Sequence, residues 1–267
     1  LSLIFGVMDI VNIAQGILVI LGAYLSYWLE QHFQMDLFLG LFITMPIMFV
    51  LGVFLYWAVI RRIKKERIMF SILLTFAIAL VLEGLLSIIF STDLVQIPSW
   101  YLNASIQLGG FYLSYIYLFS FLLSVVLLGG LYLLLYCTKF GYGLRASMEN
   151  STAAELIGVN IDLVQSVTFG IGVALAAAGG MTYGALNLFN PASSYDLISR
   201  LLVIIVLGGM GSLRGALIGS LVMLVIGDVT SVVWSPIWSD TVFFVLLIVM
   251  LRVRPRGLFG KLEGRKQ

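Results

Sequence analysis

The sequence predicts an all-α, polytopic transmembrane bundle, with about eight helices that span or partly span the bilayer. Three observations carry that prediction. Hydrophobic residues make up 61% of the 267 and charged residues 10%, with a mean hydropathy of +1.10. A soluble domain has about 25% charged residues, so no water-exposed surface can be assembled from this composition. The apolar residues come in continuous runs near the length of a spanning helix, without the alternation that would mark strand spans. The basic residues, finally, sort to one side of the predicted spans.

Taken in order, apolar segments run at roughly 1–10, 16–30, 37–60, 68–90, 110–138, 163–188, 198–210, 215–234 and 240–252. The segments at either end and the one at 198–210 are short, so some of them are expected to be re-entrant or broken rather than full crossings. Residue 1 is Leu, and the first eight residues read like the end of a hydrophobic helix, so an N-terminal part of the first helix is expected to precede them. Arg61, Arg62, Lys64, Lys65 and Arg67 crowd one loop, which the positive-inside rule places in the cytoplasm. Counting crossings from that loop puts 139–162, 208–215 and the C-terminal tail inside, and 91–109, 189–197 and 235–239 outside. Fourteen of the fifteen Lys and Arg residues are then cytoplasmic, Arg200 being the exception. Arg200 either pairs with Asp196 one turn earlier or meets a substrate. The expected location is the cytoplasmic membrane, with the whole of 1–267 forming one transmembrane domain. One cysteine, Cys137, excludes an internal disulfide, and one histidine, His32, excludes a histidine metal cluster. No cofactor, metal or nucleic-acid partner is expected. The basic loop also suits contact with anionic membrane lipid.

Residues 139–162 form a polar island. No Asp, Glu, Lys or Arg occurs from Leu94 to Thr138 or from Leu163 to Tyr195, yet five charges fall inside the island. Thr152-Ala-Ala-Glu155 fits a capping box and Gly158 a left-handed C-cap, which predicts a short helix between them. Asp162-Leu-Val-Gln165 resembles a second capping box at the start of the next span, and Leu144 to Glu149 suggest a further helical turn after a flexible Gly141-Tyr-Gly143. Isolated helices this short are unstable in water, so a docking surface on another protein is one reading and an ordinary loop the other.

Other polar residues inside apolar segments are expensive, and face either a cavity or a neighbouring helix. Asp9, Asn12 and Gln15 lie in a Gly-flanked stretch that reads as a broken helix lining a translocation path, or as polar contact between packed helices. Glu83 and Asp228 carry the same two readings. Ala176, Gly180 and Gly184, and likewise Gly215 and Gly219, repeat small residues at four-residue spacing, which permits close helix approach. Trp28, Trp100, Trp234 and Trp238 fall near the predicted outer boundary as interface anchors.

Four ordered motifs resemble the branched-chain amino acid permeases of ABC importers, the LivH-type subunit. They are Asp9-Ile-Val-Asn-Ile-Ala-Gln-Gly16 with Gly22-Ala-Tyr24; the island's Gly143-Leu-Arg-Ala146, Ala153-Ala154 and Gly158-Val-Asn160, followed by Thr168-Phe-Gly-Ile-Gly-Val-Ala-Leu-Ala-Ala-Ala-Gly-Gly180; Gly208-Gly-Met-Gly-Ser-Leu-Arg-Gly-Ala216; and Arg254-Pro-Arg-Gly-Leu-Phe-Gly260. In the first motif Ile13 and Gln15 stand where the family usually has Phe and His. The resemblance covers essentially the whole chain. It implies an ABC importer permease fold and transport of branched-chain or other apolar amino acids, with urea or short amides as the nearest alternative. It also implies a second, LivM-type permease, two cytoplasmic ATPase subunits and an extracytoplasmic substrate-binding protein. The island then corresponds to the family's coupling loop, with Arg145, Thr152, Ala153, Ala154, Glu155, Gly158 and Asn160 as its contact residues. No phosphate-binding Gly-x-x-x-x-Gly-Lys-Ser/Thr occurs in the chain, so ATP hydrolysis belongs to a partner. A stand-alone secondary transporter would instead show an inverted repeat and a midplane ion site. A membrane enzyme would need a clustered catalytic pair that the sequence lacks.

Overall fold

The computed structural model describes residues 1–63, 67–108, 111–254, 257 and 259. Lys64 and Lys65 of the basic loop, Pro255, Arg256, Leu258 and Gly260 of the last motif, and the tail beyond lie outside the described residues. Among those described are twelve α-helices: α1 (Ser2–Met8), α2 (Gln15–Phe33), α3 (Leu37–Ala58), α4 (Arg67–Phe90), α5 (Trp100–Asn103), α6 (Tyr115–Cys137), α7 (Lys139–Glu149), α8 (Ser151–Leu156), α9 (Ile161–Leu186), α10 (Ser193–Gly208), α11 (Leu213–Val233) and α12 (Pro236–Val253). Five of them, α3 with the turn that extends it to Arg62, α4, α6, α9 and α11, are long and apolar enough to cross a membrane. A helix of 23 residues such as α6 is about 35 Å long, enough for the ~30 Å hydrocarbon core.

Helix α9 sits at the centre, between α2 and α3. Its small residues explain why. A Cβ added at Gly180 would lie 2.0 Å from the Val19 carbonyl oxygen, and one at Gly22 would lie 2.5 Å from Ala177 Cα. Backbones can approach this closely only where side chains are missing, and close approach is what holds helices together in lipid. The four-residue spacing of small residues is therefore packing within the chain. Gly215 repeats the device against Gly208, joining α11 to α10. Helices α10, α11 and α12 gather a second, smaller core of Val203, Leu207, Met223 and Phe243.

Two departures from the sequence reading concern local structure. The apolar run at 110–138 begins as a strand: β1 (Ser105–Leu108) pairs antiparallel with β2 (Phe111–Ser114) before α6 starts. The continuous hydropathy of the run concealed this strand; Gly109 and Gly110, between β1 and β2 in sequence, lie outside the described residues. Gly141-Tyr-Gly143, expected to be flexible, lies within α7.

Contacts define the two ends of the bundle. At one end Val95 and Phe189 exchange backbone hydrogen bonds of 3.0 and 2.9 Å, Ile97 N–H donates to the Gly184 carbonyl, and the Tyr101 hydroxyl donates to Asp36. The other, basic end carries Arg61, Arg62, α7 and α8.

Candidate translocation and coupling site

Helix α1 ends at Asp9, whose φ of 54° turns the chain out of the helix. Helix α2 resumes only at Gln15, and the backbone between is non-helical. Gln15 Nε2 donates to the Gly172 carbonyl at 3.1 Å, which sets this break beside the middle of α9. Irregular backbone at membrane depth is tolerated only where protein answers its polar groups. Here α4 does so. Val11 N–H donates to Ser71 Oγ (3.3 Å) and Ile13 N–H to Thr75 Oγ1 (3.0 Å). Ser71 and Thr75 lie one turn apart on one helix face, and each hydroxyl also donates to a carbonyl of its own helix, that of Ile68 and of Ser71. Asn12 Nδ2 donates to Gln15 Oε1 at 3.0 Å. Asn12, Ser71 and Thr75 are fully buried, and Asn12 Oδ1 is left without a hydrogen-bond partner.

At the basic end, α6 turns sharply into α7. Thr138 Oγ1 accepts from Gly141 N–H at 3.0 Å, and a Cβ at Gly141 would lie 2.3 Å from the Leu135 carbonyl oxygen. The Arg145 guanidinium stacks over Tyr136 (4.7 Å) and Tyr142 (4.8 Å), pinning α7 against the end of α6. Helix α7 abuts α1, where a Cβ at Gly6 would lie 2.8 Å from Met148 Cε.

The short helix α8 is capped by Asn150, whose Oδ1 accepts from Ala153 N–H at 3.0 Å. The expected capping box at Thr152 and Glu155 is therefore corrected: the helix starts at Ser151, so Thr152 already lies in its first turn. The same shift applies downstream. Asn160 caps α9 by accepting from Leu163 N–H, and Asp162 lies in the first turn, where the helix dipole favours a carboxylate. Gly158, with φ of 90°, ends α8 as expected, and Gly158 and Val159 N–H donate back to the carbonyls of Glu155 and Ala154.

Asp162 is thus free of capping duty and joins α9 to α3. Arg61 Nη2 reaches its Oδ2 at 2.7 Å, and the Tyr56 hydroxyl lies 3.2 Å from its Oδ1 and 3.1 Å from Gln165 Oε1.

The chain was compared with known proteins. A family described as the permease component of the branched-chain amino acid transport system matches residues 1–251. The chain belongs to this family. Among similar curated proteins, the high-affinity branched-chain amino acid transport permease LivH of Salmonella typhimurium is 26% identical over 99% of this chain and 90% of its own. LivH of Escherichia coli K12 gives the same identity and coverage. The probable LivH of Methanocaldococcus jannaschii is 28% identical over 97% of this chain and 86% of its own. No solved structure matches significantly. The chain is a multi-pass membrane permease.

The residues singled out from sequence fall in separate places on this permease. Asp9 is exposed at the break, while Asn12 and Gln15 are buried and bonded within it. Glu83 lies far along α4, where it accepts from the Tyr195 hydroxyl of α10 at 2.6 Å. Asp228 is exposed on α11. The structure does not bring these five together. In the island, Thr152, Ala153, Glu155, Gly158 and Asn160 are exposed, whereas Ala154 is buried. Sequence reasoning missed Ser71 and Thr75, two small polar residues in an apolar span. It also missed Leu156 and Ile157, an apolar pair at the tip of a polar hairpin, 84% and 77% exposed.

Proposed function

We propose that this permease is the membrane-spanning subunit of an ATP-driven importer that carries branched-chain amino acids across the cytoplasmic membrane. Its family and the transport activity named for its relatives support the substrate class, and the hairpin at the basic end supports the coupling. The observation that carries the coupling is the exposure of Leu156 and Ile157 beside a buried Ala154. An apolar tip offered outward, on a helix too short to stand alone, fits a groove on a partner ATPase. Thr152, Ala153 and Glu155 would line the rim of that contact, while Ala154 and Arg145 hold the hairpin onto its own chain. The basic residues support a cytoplasmic position for this end, and with it for the described C-terminal residues.

Two routes lead from the hairpin into the bundle. Through Asn160 and Asp162 a displaced α8 would pull on Arg61 and Tyr56 of α3. Through α7 and Met148 it would push on α1, and so on the Asp9–Gln15 break. A two-state shift of the break, with Asn12 leaving Gln15, would open the inner half of a path. The complete importer in this reading holds a second, LivM-type permease, two ATPase subunits and an extracytoplasmic binding protein.

The test is uptake of labelled leucine and of labelled urea by cells expressing the permease with its neighbouring subunits, with and without ATP depletion, together with affinity purification of the tagged chain. ATP-dependent leucine uptake and co-purified ATPases are expected. Uptake of urea alone would overturn the substrate, and transport by the chain purified alone without ATP would overturn the importer.

A further inference from the structure

A cavity of about 600 Å³ opens at the basic end, between the end of α3, the start of α9 and the break after α1. Arg61, Arg62 and Arg67 line it, with Met8 at the end of α1, Ile10 of the break and Trp57. Arg61 is engaged by Asp162 and stacks over Trp57 at 4.3 Å. Arg62 and Arg67 meet no carboxylate within ion-pair distance among the described residues. Three guanidinium groups against the Asp162 carboxylate leave the wall positive. Two cations on the wall of one cavity suit the charge of a phosphate group.

We propose that this cavity binds the headgroup phosphate of an anionic phospholipid. A free phosphate would use the arginines alone. The surroundings suit a lipid, because Val50, Phe54 and Trp57 form an exposed apolar stripe along α3 that leads to Arg61. Their spacing of four and three residues keeps them on one helix face, where acyl chains can lie. Met8 and Ile10 give the cavity an apolar floor. Basic pockets between spanning helices on the cytoplasmic side are suited to such headgroups. A headgroup held here would tie Arg62, after α3, to Arg67, which begins the helix carrying Ser71 and Thr75. The lipid would then set how firmly α4 holds the break.

The test is quenching of Trp57 by brominated lipid in vesicles containing the natural full-length permease with the subunits that purify with it. The Trp57 signal is the difference between the protein and its Trp57→Phe variant. Brominated phosphatidylglycerol should quench it at about 10-fold lower mole fraction than brominated phosphatidylcholine. The preference should vanish in Arg62→Gln/Arg67→Gln and survive in Arg62→Lys/Arg67→Lys, which keeps the charge if the Gln pair harms folding. Equal quenching by the two lipids, or a preference that outlasts the Gln pair, overturns the site. Displacement by millimolar inorganic phosphate would assign the cavity to a soluble anion and overturn the lipid. The readout is fluorescence, so it stands or falls apart from the transport reading.

Discussion

The break at Asp9–Gln15 and the tip of α8 are opposites in how they treat the wrong kind of atom. The break places backbone N–H groups at membrane depth, and α4 answers two of them with Ser71 and Thr75, while the Gly172 carbonyl of α9 accepts from the Gln15 side chain. The tip places Leu156 and Ile157 at the polar end of the molecule, and nothing among the described residues covers them. A polar group in lipid must be satisfied at once, because leaving it unpaired costs several kcal/mol. An apolar side chain in water costs less and can wait for a partner. The break finds partners for Val11 and Ile13 N–H within the chain, whereas the tip is proposed as half of a contact.

That contrast can be broken or sharpened by three substitutions. Thr75→Val should have the largest effect on stability. It keeps the shape and removes the acceptor for Ile13 N–H, a loss of about 1–3 kcal/mol for a buried unsatisfied donor. Thermal unfolding in detergent should show it, and Thr75→Ser should restore it. An unchanged unfolding temperature would mean that the break does not depend on α4. Asn150→Ala should come next, at about 1 kcal/mol for a lost N-cap. Its effect should be confined to α7 and α8, read as faster hydrogen exchange at Ala153 with no change near Gln15. Leu156→Gln with Ile157→Gln should be nearly silent in stability, within about 0.5 kcal/mol, since both side chains are exposed. ATP-dependent uptake should nonetheless fall sharply in that variant. Full transport with the double change would end the coupling role of the tip.

The bundle itself was legible in the sequence because hydropathy and small-residue spacing are redundant signals. Each apolar segment holds a helix, the one at 110–138 only after its opening strand, and Gly180 and Gly215 pack as their spacing implied. Both caps were read two residues late. Both Thr152 and Asp162 have the right chemistry for a cap, but Asn150 and Asn160 stand just before them, and the first suitable residue in extended backbone takes the position. Ser71 and Thr75 were illegible for a different reason. A hydroxyl in a spanning helix usually bonds its own preceding turn, as both of these do, so nothing local announces the second bond to α1–α2. The Asp162–Arg61 pair joins residues 101 apart in the chain, a separation that no window along the sequence can see.

The corner between α6 and α7 has a mechanical meaning. Gly141 lies so close to the Leu135 carbonyl that the angle there cannot close further, and Arg145 clamps it from the side through Tyr136 and Tyr142. A joint of this kind does not absorb work. Helix α7, 11 residues and about 16 Å long, then behaves as a rigid lever with its fulcrum at Thr138. Its load arm ends at Met148 against Gly6, so a force on α8 would be delivered to α1 and not lost in bending.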